Sequence, residues 1–164
     1  KAQWLQIITN KKLKNRNYIN SVEVKGGFIE SSYKMYANDF QTVVKQQPKE
    51  MIELVLENKE RVFPAFIDAM FLGVEMSETL ETVDFKVIEK MLLTFPCDME
   101  THRASYFCGI LEKISDFCWS SEIMQQLKNI ALKHCNPELN KPNVTNSEDK
   151  EMKSCEMLHR NALN

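Results

Sequence analysis

Histidine and cysteine side chains near the C-terminus have the types and spacing from which a metal site could be built. Cys155 and His159 are four residues apart, which places them on one face of a helix, and His134 and Cys135 are adjacent. Adjacent side chains point to different sides of a helix, however, and the sequence contains no CxxC pair. We therefore predict no metal-binding residue and no cofactor.

A cysteine and a histidine that could form a nucleophilic pair occur close together in the middle of the chain. Cys97 and His102 flank a linker that Pro96 breaks, and such a pair could activate a thiol for attack. No Asp or Asn stands at a spacing typical of the third residue that orients the histidine. We predict that both are surface residues on a helix connection and that the chain has no catalytic residue.

Glycine-rich loops that bind phosphate are not encoded. The four glycines, Gly26, Gly27, Gly73 and Gly109, fit neither GxxxxGK[ST] nor GxGxxG. Gly26 and Gly27 instead indicate a backbone turn. We therefore expect this segment not to bind ATP itself and not to be an enzyme, and its binding residues cannot be assigned from sequence.

Positive charge is concentrated at the start of the chain. Residues 1–25 carry six positive charges and one negative charge, that of Glu23, which gives a net charge of +5. The remaining residues carry −7, so the formal net charge of the chain is −2. Most of the excess comes from the run Lys11 to Arg16, with Lys25. Because no aromatic residues are interleaved, the run predicts a solvated loop, and nucleic acid is not the expected partner. A nucleic-acid-binding helical module that uses this loop remains an alternative.

The five cysteines indicate a reducing compartment. An odd number, with three of them in or at the edge of apolar helical stripes, is typical of buried free thiols, so we predict a cytoplasmic protein. No uncharged run approaches the roughly 18 to 20 residues that a bilayer span needs, and no membrane partner is expected. The chain begins at Lys1 and ends at Asn164 within a helical pattern, so we expect a fragment of a longer protein.

The clearest helical patterns lie between Glu100 and Cys135. Apolar residues recur at steps of three and four up to Cys118, and a second, narrower stripe follows from Ile123. We predict a tight turn between them with Ser120 as the N-cap of the second helix, and Leu111 and Leu127 in one core. The short connection predicts that the two helices form an antiparallel hairpin.

Similar patterns predict about eight helices and no convincing strand, although Val22 to Val24 alternates briefly. Helix pairs begin near Ser32, Pro64 and Glu100, about 32 to 36 residues apart. This spacing is slightly short of the roughly 40 to 47 residues of HEAT repeats. We predict an all-α fold, an irregular, HEAT-like α-solenoid of antiparallel helical hairpins, in a single helical-repeat domain over residues 1–164. The helices are expected to start near Trp4, Ser32, Pro48, Pro64, Phe85, Glu100, Ser120 and Ser147.

Several short segments carry a resemblance to a known family. They are Lys25 to Ser32, followed by a helix with Asp39 and Phe40; Pro48, Glu50 and Met51 at the next helix; and Asn161 to Asn164 at the end. With these segments the chain resembles the helical C-terminal repeat region of large bacterial STAND ATPases, which include the antiviral AVAST-type proteins.

The resemblance implies a sensor solenoid whose surface recognises a partner protein. In the antiviral members that partner is a phage protein, and recognition triggers assembly of the ATPase core, so oligomers would form through the full-length ATPase. This chain contains neither the ATPase nor an effector domain, so the resemblance implies no catalytic role for it. A generic HEAT-like scaffold without a sensing role is the other alternative.

Overall fold

The computed structural model describes residues 1–15, 19–25, 27–97 and 102–133. Within these ranges the chain is mostly helical, as predicted. The helix expected from Ser147 lies outside the described residues. The helices are α1 (Ala2–Ile8), α2 (Tyr33–Gln46), α3 (Pro48–Glu57), α4 (Pro64–Glu75), α5 (Phe85–Thr94), α6 (Arg103–Lys113) and α7 (Ser121–Lys133), with 3-10 turns at Lys11–Lys14 and Leu80–Thr82.

Local capping residues explain where several helices begin. Ser32 accepts a hydrogen bond from the Met35 N–H through its side-chain oxygen, at 3.3 Å, and thereby caps α2. Pro48 and Pro64 each occupy the first turn of a helix, where proline costs no intrahelical hydrogen bond. Asp84 accepts from the Lys86 N–H at 2.9 Å, just before α5. These starts confirm the sequence predictions.

A β-hairpin precedes α2, and the expectation of no convincing strand was wrong here. Strand β1 (Ile19–Val24) pairs antiparallel with β2 (Gly27–Ser32), and two residues connect Val24 to Gly27. A two-residue connection is the commonest hairpin turn. Ile19 and Val22 are 68% and 52% exposed, so these apolar residues of β1 form no buried face whose alternation could have predicted the strand.

The described structure divides into two compact units, Lys1–Ile88 and Glu89–Asn164. In the first unit, aromatic rings form the centre of the core. The Phe40 and Phe66 rings meet edge to face with centroids 5.7 Å apart, Trp4 lies 5.3 Å from Phe40, and Tyr33 lies 6.4 Å from Phe66. Such pairs contribute about 0.5–1.5 kcal/mol each beyond the area they bury. They join α1, α2 and α4 into one core.

Helices α2 and α4 pack against each other more extensively than either packs on α3. Gly73 of α4 makes this approach close, because a Cβ at that position would lie 2.7 Å from the Gln41 carbonyl oxygen and 2.7 Å from the Val44 Cβ. Helix α4 continues past Gly73 to Glu75, so this glycine lies within the helix and does not terminate it. Its glycine is required by helix packing.

The basic run was expected to be a solvated loop, and this expectation was wrong for its first four residues. Lys11–Lys14 forms a 3-10 turn, and the Leu13 side chain is only 2% exposed. One leucine among lysines has no periodicity, so its burial could not be read from the sequence. Arg16 lies outside the described residues.

In the second unit the buried residues come from α5, α6 and α7 and the segments that follow α5 and α6. They include a charged residue, Arg103, whose Nη1 donates to the Pro96 carbonyl oxygen at 2.9 Å. A buried guanidinium that is paired in this way joins the start of α6 to the end of α5. The apolar buried residues are Met91, Leu92, Phe95, Ala104, Phe107, Cys108, Ile110, Leu111, Ile114, Ile123, Ile130 and Ala131.

Helix α6 ends earlier than predicted. It stops at Lys113, so Cys118 is not helical and the connection to α7 is longer than a tight turn. Leu111 is buried as expected, but Leu127 is only half-buried and is not a core residue. The apolar stripe was extended too far because Phe117 and Cys118 fall at helical spacing by coincidence. In the described ranges no helix is long and apolar enough to cross a bilayer.

Candidate protein-binding groove

A groove of about 700 Å³ opens on the second unit. Its walls come from the end of α6, the connection that follows, and the first turns of α7. Ligand sites in proteins typically measure about 300–1,000 Å³, so the groove has the size of a binding site. The described residues that line it are Cys108, Leu111, Glu112, Ser115, Phe117, Cys118, Trp119, Met124 and Leu127.

Helical spacing explains why α6 and α7 contribute these residues. Leu111 and Glu112 lie three and four residues after Cys108, and this spacing places all three on one face of α6. Met124 and Leu127 are three residues apart on α7. The early end of α6 then allows the connection to contribute its own side chains to the groove.

The connection contributes two aromatic rings. The Phe117 and Trp119 rings meet edge to face, with centroids 4.8 Å apart and planes at 81°. This geometry contributes about 0.5–1.5 kcal/mol and holds both rings in place before any ligand binds. The indole N–H of Trp119 is buried and has no hydrogen-bond partner among the described residues. A buried unpaired donor of this kind costs about 1–3 kcal/mol.

A long-range hydrogen bond fixes where α7 begins. The Ser120 backbone N–H donates to Oε1 of Glu89 at 2.9 Å, and the Ser120 carbonyl accepts from the Met124 N–H at 3.1 Å. Ser120 therefore holds the N-cap position, as predicted, but its buried hydroxyl oxygen accepts no backbone N–H among the described residues. Glu89 of α5 supplies the stabilising acceptor instead.

The mouth of the groove has an exposed apolar side chain. Met124 is 50% exposed, and on the same helix Leu132 is 69% exposed but does not line the groove. Unbranched methionine adapts its shape to different partners, which makes it common at binding surfaces. Met124 was not among the residues singled out from the sequence, although its spacing to Leu127 and Ala131 would have indicated a second apolar stripe on α7.

Glu112 is the charged residue among the described residues of the groove lining. Burial, and secondarily the Glu112 charge, raise the pKa of the Cys108 thiol to about 11. Cys108 is therefore protonated at neutral pH and behaves as a small apolar residue. Cys118 is exposed at the edge of the groove.

The two residues considered for nucleophilic chemistry differ in exposure, and the prediction of a surface position was wrong for Cys97, which is half-buried. Burial raises the pKa of Cys97 to about 12, with a further increase from Cys108 that Arg103 opposes. A thiol with such a pKa carries no thiolate at neutral pH. His102 is exposed at the N-cap of α6, where its ring lies 6.5 Å from that of Tyr106.

The metal candidates His134, Cys135, Cys155 and His159 lie outside the described residues. Within the ranges that the structure describes, no three His, Cys, Asp or Glu side chains are grouped so as to hold a metal ion. Gly26 also lies outside, and Gly27 begins β2.

The chain was compared with protein families, curated proteins and solved structures, and nothing matched in any of the three comparisons.

Proposed function

We propose that this chain is a protein-binding helical segment and that its binding site is the groove lined by Phe117, Trp119 and Met124. The observation that carries the proposal is the combination of two fixed aromatic rings with an exposed methionine in a cavity of about 700 Å³. Aromatic side chains in such pockets contribute most of the energy of protein interfaces.

The groove fits an amphipathic helix of the partner protein. Its lining is mostly apolar over one and a half turns of α6 and the first turns of α7, which matches apolar residues at steps of three and four on a docking helix. Glu112 complements a lysine or arginine beside that stripe. We therefore expect the partner segment to carry both an apolar face and a basic residue.

Following the resemblance, we propose that the segment is the sensor part of a bacterial STAND-type ATPase, built as an irregular, HEAT-like α-solenoid, that recognises a protein such as a phage component. The predominance of helices supports the architecture. The free thiols of Cys97, Cys108 and Cys118 support a cytoplasmic setting. A Walker A motif upstream in the same reading frame is expected, and a reading frame without one would remove the STAND assignment while leaving the groove in place.

Paired substitutions on α7 test the groove. Met124→Glu places a charge inside the groove, whereas Leu132→Glu places the same charge on an exposed part of the same helix outside it. We expect Met124→Glu to weaken partner binding by about tenfold to a hundredfold, the effect of losing about 1.4–2.7 kcal/mol, and Leu132→Glu to leave binding unchanged.

The measurement begins with capture from a bacterial lysate, with and without phage infection, by the wild type and both variants. A protein that is retained by wild type and Leu132→Glu and lost with Met124→Glu is then purified and titrated by calorimetry. The charge reversal Glu112→Lys should lower the affinity measured in the same titration. Equal binding by both α7 variants would show that the partner binds elsewhere.

A further inference from the structure

The 3-10 turn Lys11–Lys14, here named the basic turn, carries three lysines on a hydrogen-bonded backbone. Asn10 accepts from the Lys12 N–H through Oδ1 at 3.1 Å, and its carbonyl accepts from the Leu13 N–H at 2.9 Å. Leu13 is buried, which fixes the orientation of the turn on the first unit. The backbone that carries the lysines is therefore ordered and does not belong to a free loop.

The support extends into the helical core. Ile8, two residues before Asn10, is fully buried, and its carbonyl accepts from the Phe63 N–H at 3.4 Å. This contact joins the chain just before the basic turn to the segment that opens α4. A charged ligand on the turn would consequently bind to a part of the molecule that is already ordered, and less conformational entropy is lost.

The three lysines of the basic turn lie close together without compensating charge. In a 3-10 helix residues three apart are eclipsed, so Lys11 and Lys14 share a side at about 6 Å along the axis. Lys11, Lys12 and Lys14 are all exposed. Among the described residues, no carboxylate forms an ion pair within 4.0 Å with any of these three lysines. Two neighbouring charges of the same sign destabilise a helix by roughly 0.2–0.5 kcal/mol per pair.

We propose that the basic turn binds the phosphate backbone of double-stranded nucleic acid without sequence specificity. Closely spaced lysine charges fit successive phosphates, and their mutual repulsion is relieved when phosphates lie between them. The basic turn shares no residue with the groove lining, so this proposal does not depend on the protein-binding function.

The surroundings of the turn favour nucleic acid over an acidic protein. Its one apolar side chain, Leu13, is buried and cannot serve as an interface anchor, and its neighbours Asn10 and Asn15 are exposed and polar. Trp4, the nearest aromatic residue that precedes the turn in the chain, packs on Phe40 and is not presented for base stacking, which binding of a duplex does not need.

Fluorescence anisotropy with a short mixed-sequence DNA duplex tests the proposal. Three phosphate contacts predict a slope of log K against log salt near −2.7, so the affinity of the 164-residue chain should fall about 40-fold between about 50 mM and about 200 mM salt. The triple variant Lys11→Gln, Lys12→Gln, Lys14→Gln should lose about tenfold or more at the lower salt concentration, because its contacts with phosphate are gone.

The matched control removes three exposed lysines elsewhere in the first unit, Lys49→Gln, Lys59→Gln and Lys86→Gln, and so changes the net charge equally. We expect this control to bind within about twofold of the wild type. Equal losses in both triple variants would show that only net charge matters, and would overturn the proposal. Absence of duplex binding by the wild type at the lower salt concentration would overturn it as well.

Competition separates the two classes of polyanion. Poly-L-glutamate, added at the same concentration of charge, should displace the duplex poorly. If it displaces the duplex as well as unlabelled duplex does, the basic turn recognises acidic polypeptides and the assignment to nucleic acid is wrong.

Discussion

At the scale of single residues, Gly73 shows how one missing side chain allows two helices to pack. We predict that Gly73→Ala destabilises the first unit, because the added Cβ would lie 2.7 Å from the Gln41 carbonyl oxygen and from the Val44 Cβ. Overpacking costs about 1–3 kcal/mol, whereas alanine in a helix returns only about 1 kcal/mol relative to glycine. Urea denaturation should show a lower midpoint.

Val44→Ala provides the matching test for Gly73. It removes the Val44 Cγ1, which lies 2.9 Å from where the alanine Cβ would stand, so the double variant should lose less stability than the two single losses combined. A urea midpoint that rises in Gly73→Ala would mean that α2 and α4 lie farther apart than the 2.7 Å distances at Gly73 require.

The buried thiols of the second unit predict a loss of stability in alkaline solution. Burial raises the pKa of Cys97 to about 12 and of Cys108 to about 11, from an ordinary value of 9.0. As the pH rises above about 9 the unfolded thiols lose protons first, so the unfolded state binds fewer protons and stability falls until the folded thiols ionise near pH 11 to 12.

Urea midpoints measured between about pH 8 and about pH 10.5 should therefore fall more steeply in the wild type than in the double variant Cys97→Ala, Cys108→Ala. Identical slopes would show that the two thiols are not shielded from water in the folded state.

At the scale of elements, α7 depends on a carboxylate from α5. Removing the acceptor in Glu89→Ala leaves the Ser120 N–H unpaired in a partly buried position. We expect a loss of about 1–3 kcal/mol, and faster hydrogen exchange in the first turn of α7. Glu89→Gln keeps an oxygen acceptor without the charge and should lose less.

Glu112→Ala is the control for this substitution, because Glu112 is exposed on α6. It should change stability by no more than about 0.5 kcal/mol. Unaltered exchange at the start of α7 in Glu89→Ala would contradict a capping role for Glu89.

At the scale of the whole molecule, the proposed α-solenoid makes a prediction about size. A compact domain of 164 residues has a radius of gyration of about 15 Å. An extended stack of helical hairpins should give a clearly larger value in small-angle X-ray scattering of the monomer. A value at or below that of the compact domain would favour a closed helical bundle instead.

Features that depend on neighbours along the chain were determined by the sequence alone. Pro48 and Pro64 begin helices because proline costs nothing in a first turn, and the stripe through Phe85, Ile88 and Leu92 predicts α5 because helical periodicity is local. The helical class follows from many such patterns together.

Features that depend on distant parts of the chain were decided only by the tertiary structure. The groove exists because α6 ends at Lys113 and α7 is fixed by Glu89, which is 31 residues from its partner Ser120. Leu13 is buried although its neighbours along the chain are lysines, and Gly73 is required because α2 lies against α4. No local pattern carries this information, since packing depends on which surfaces meet after folding.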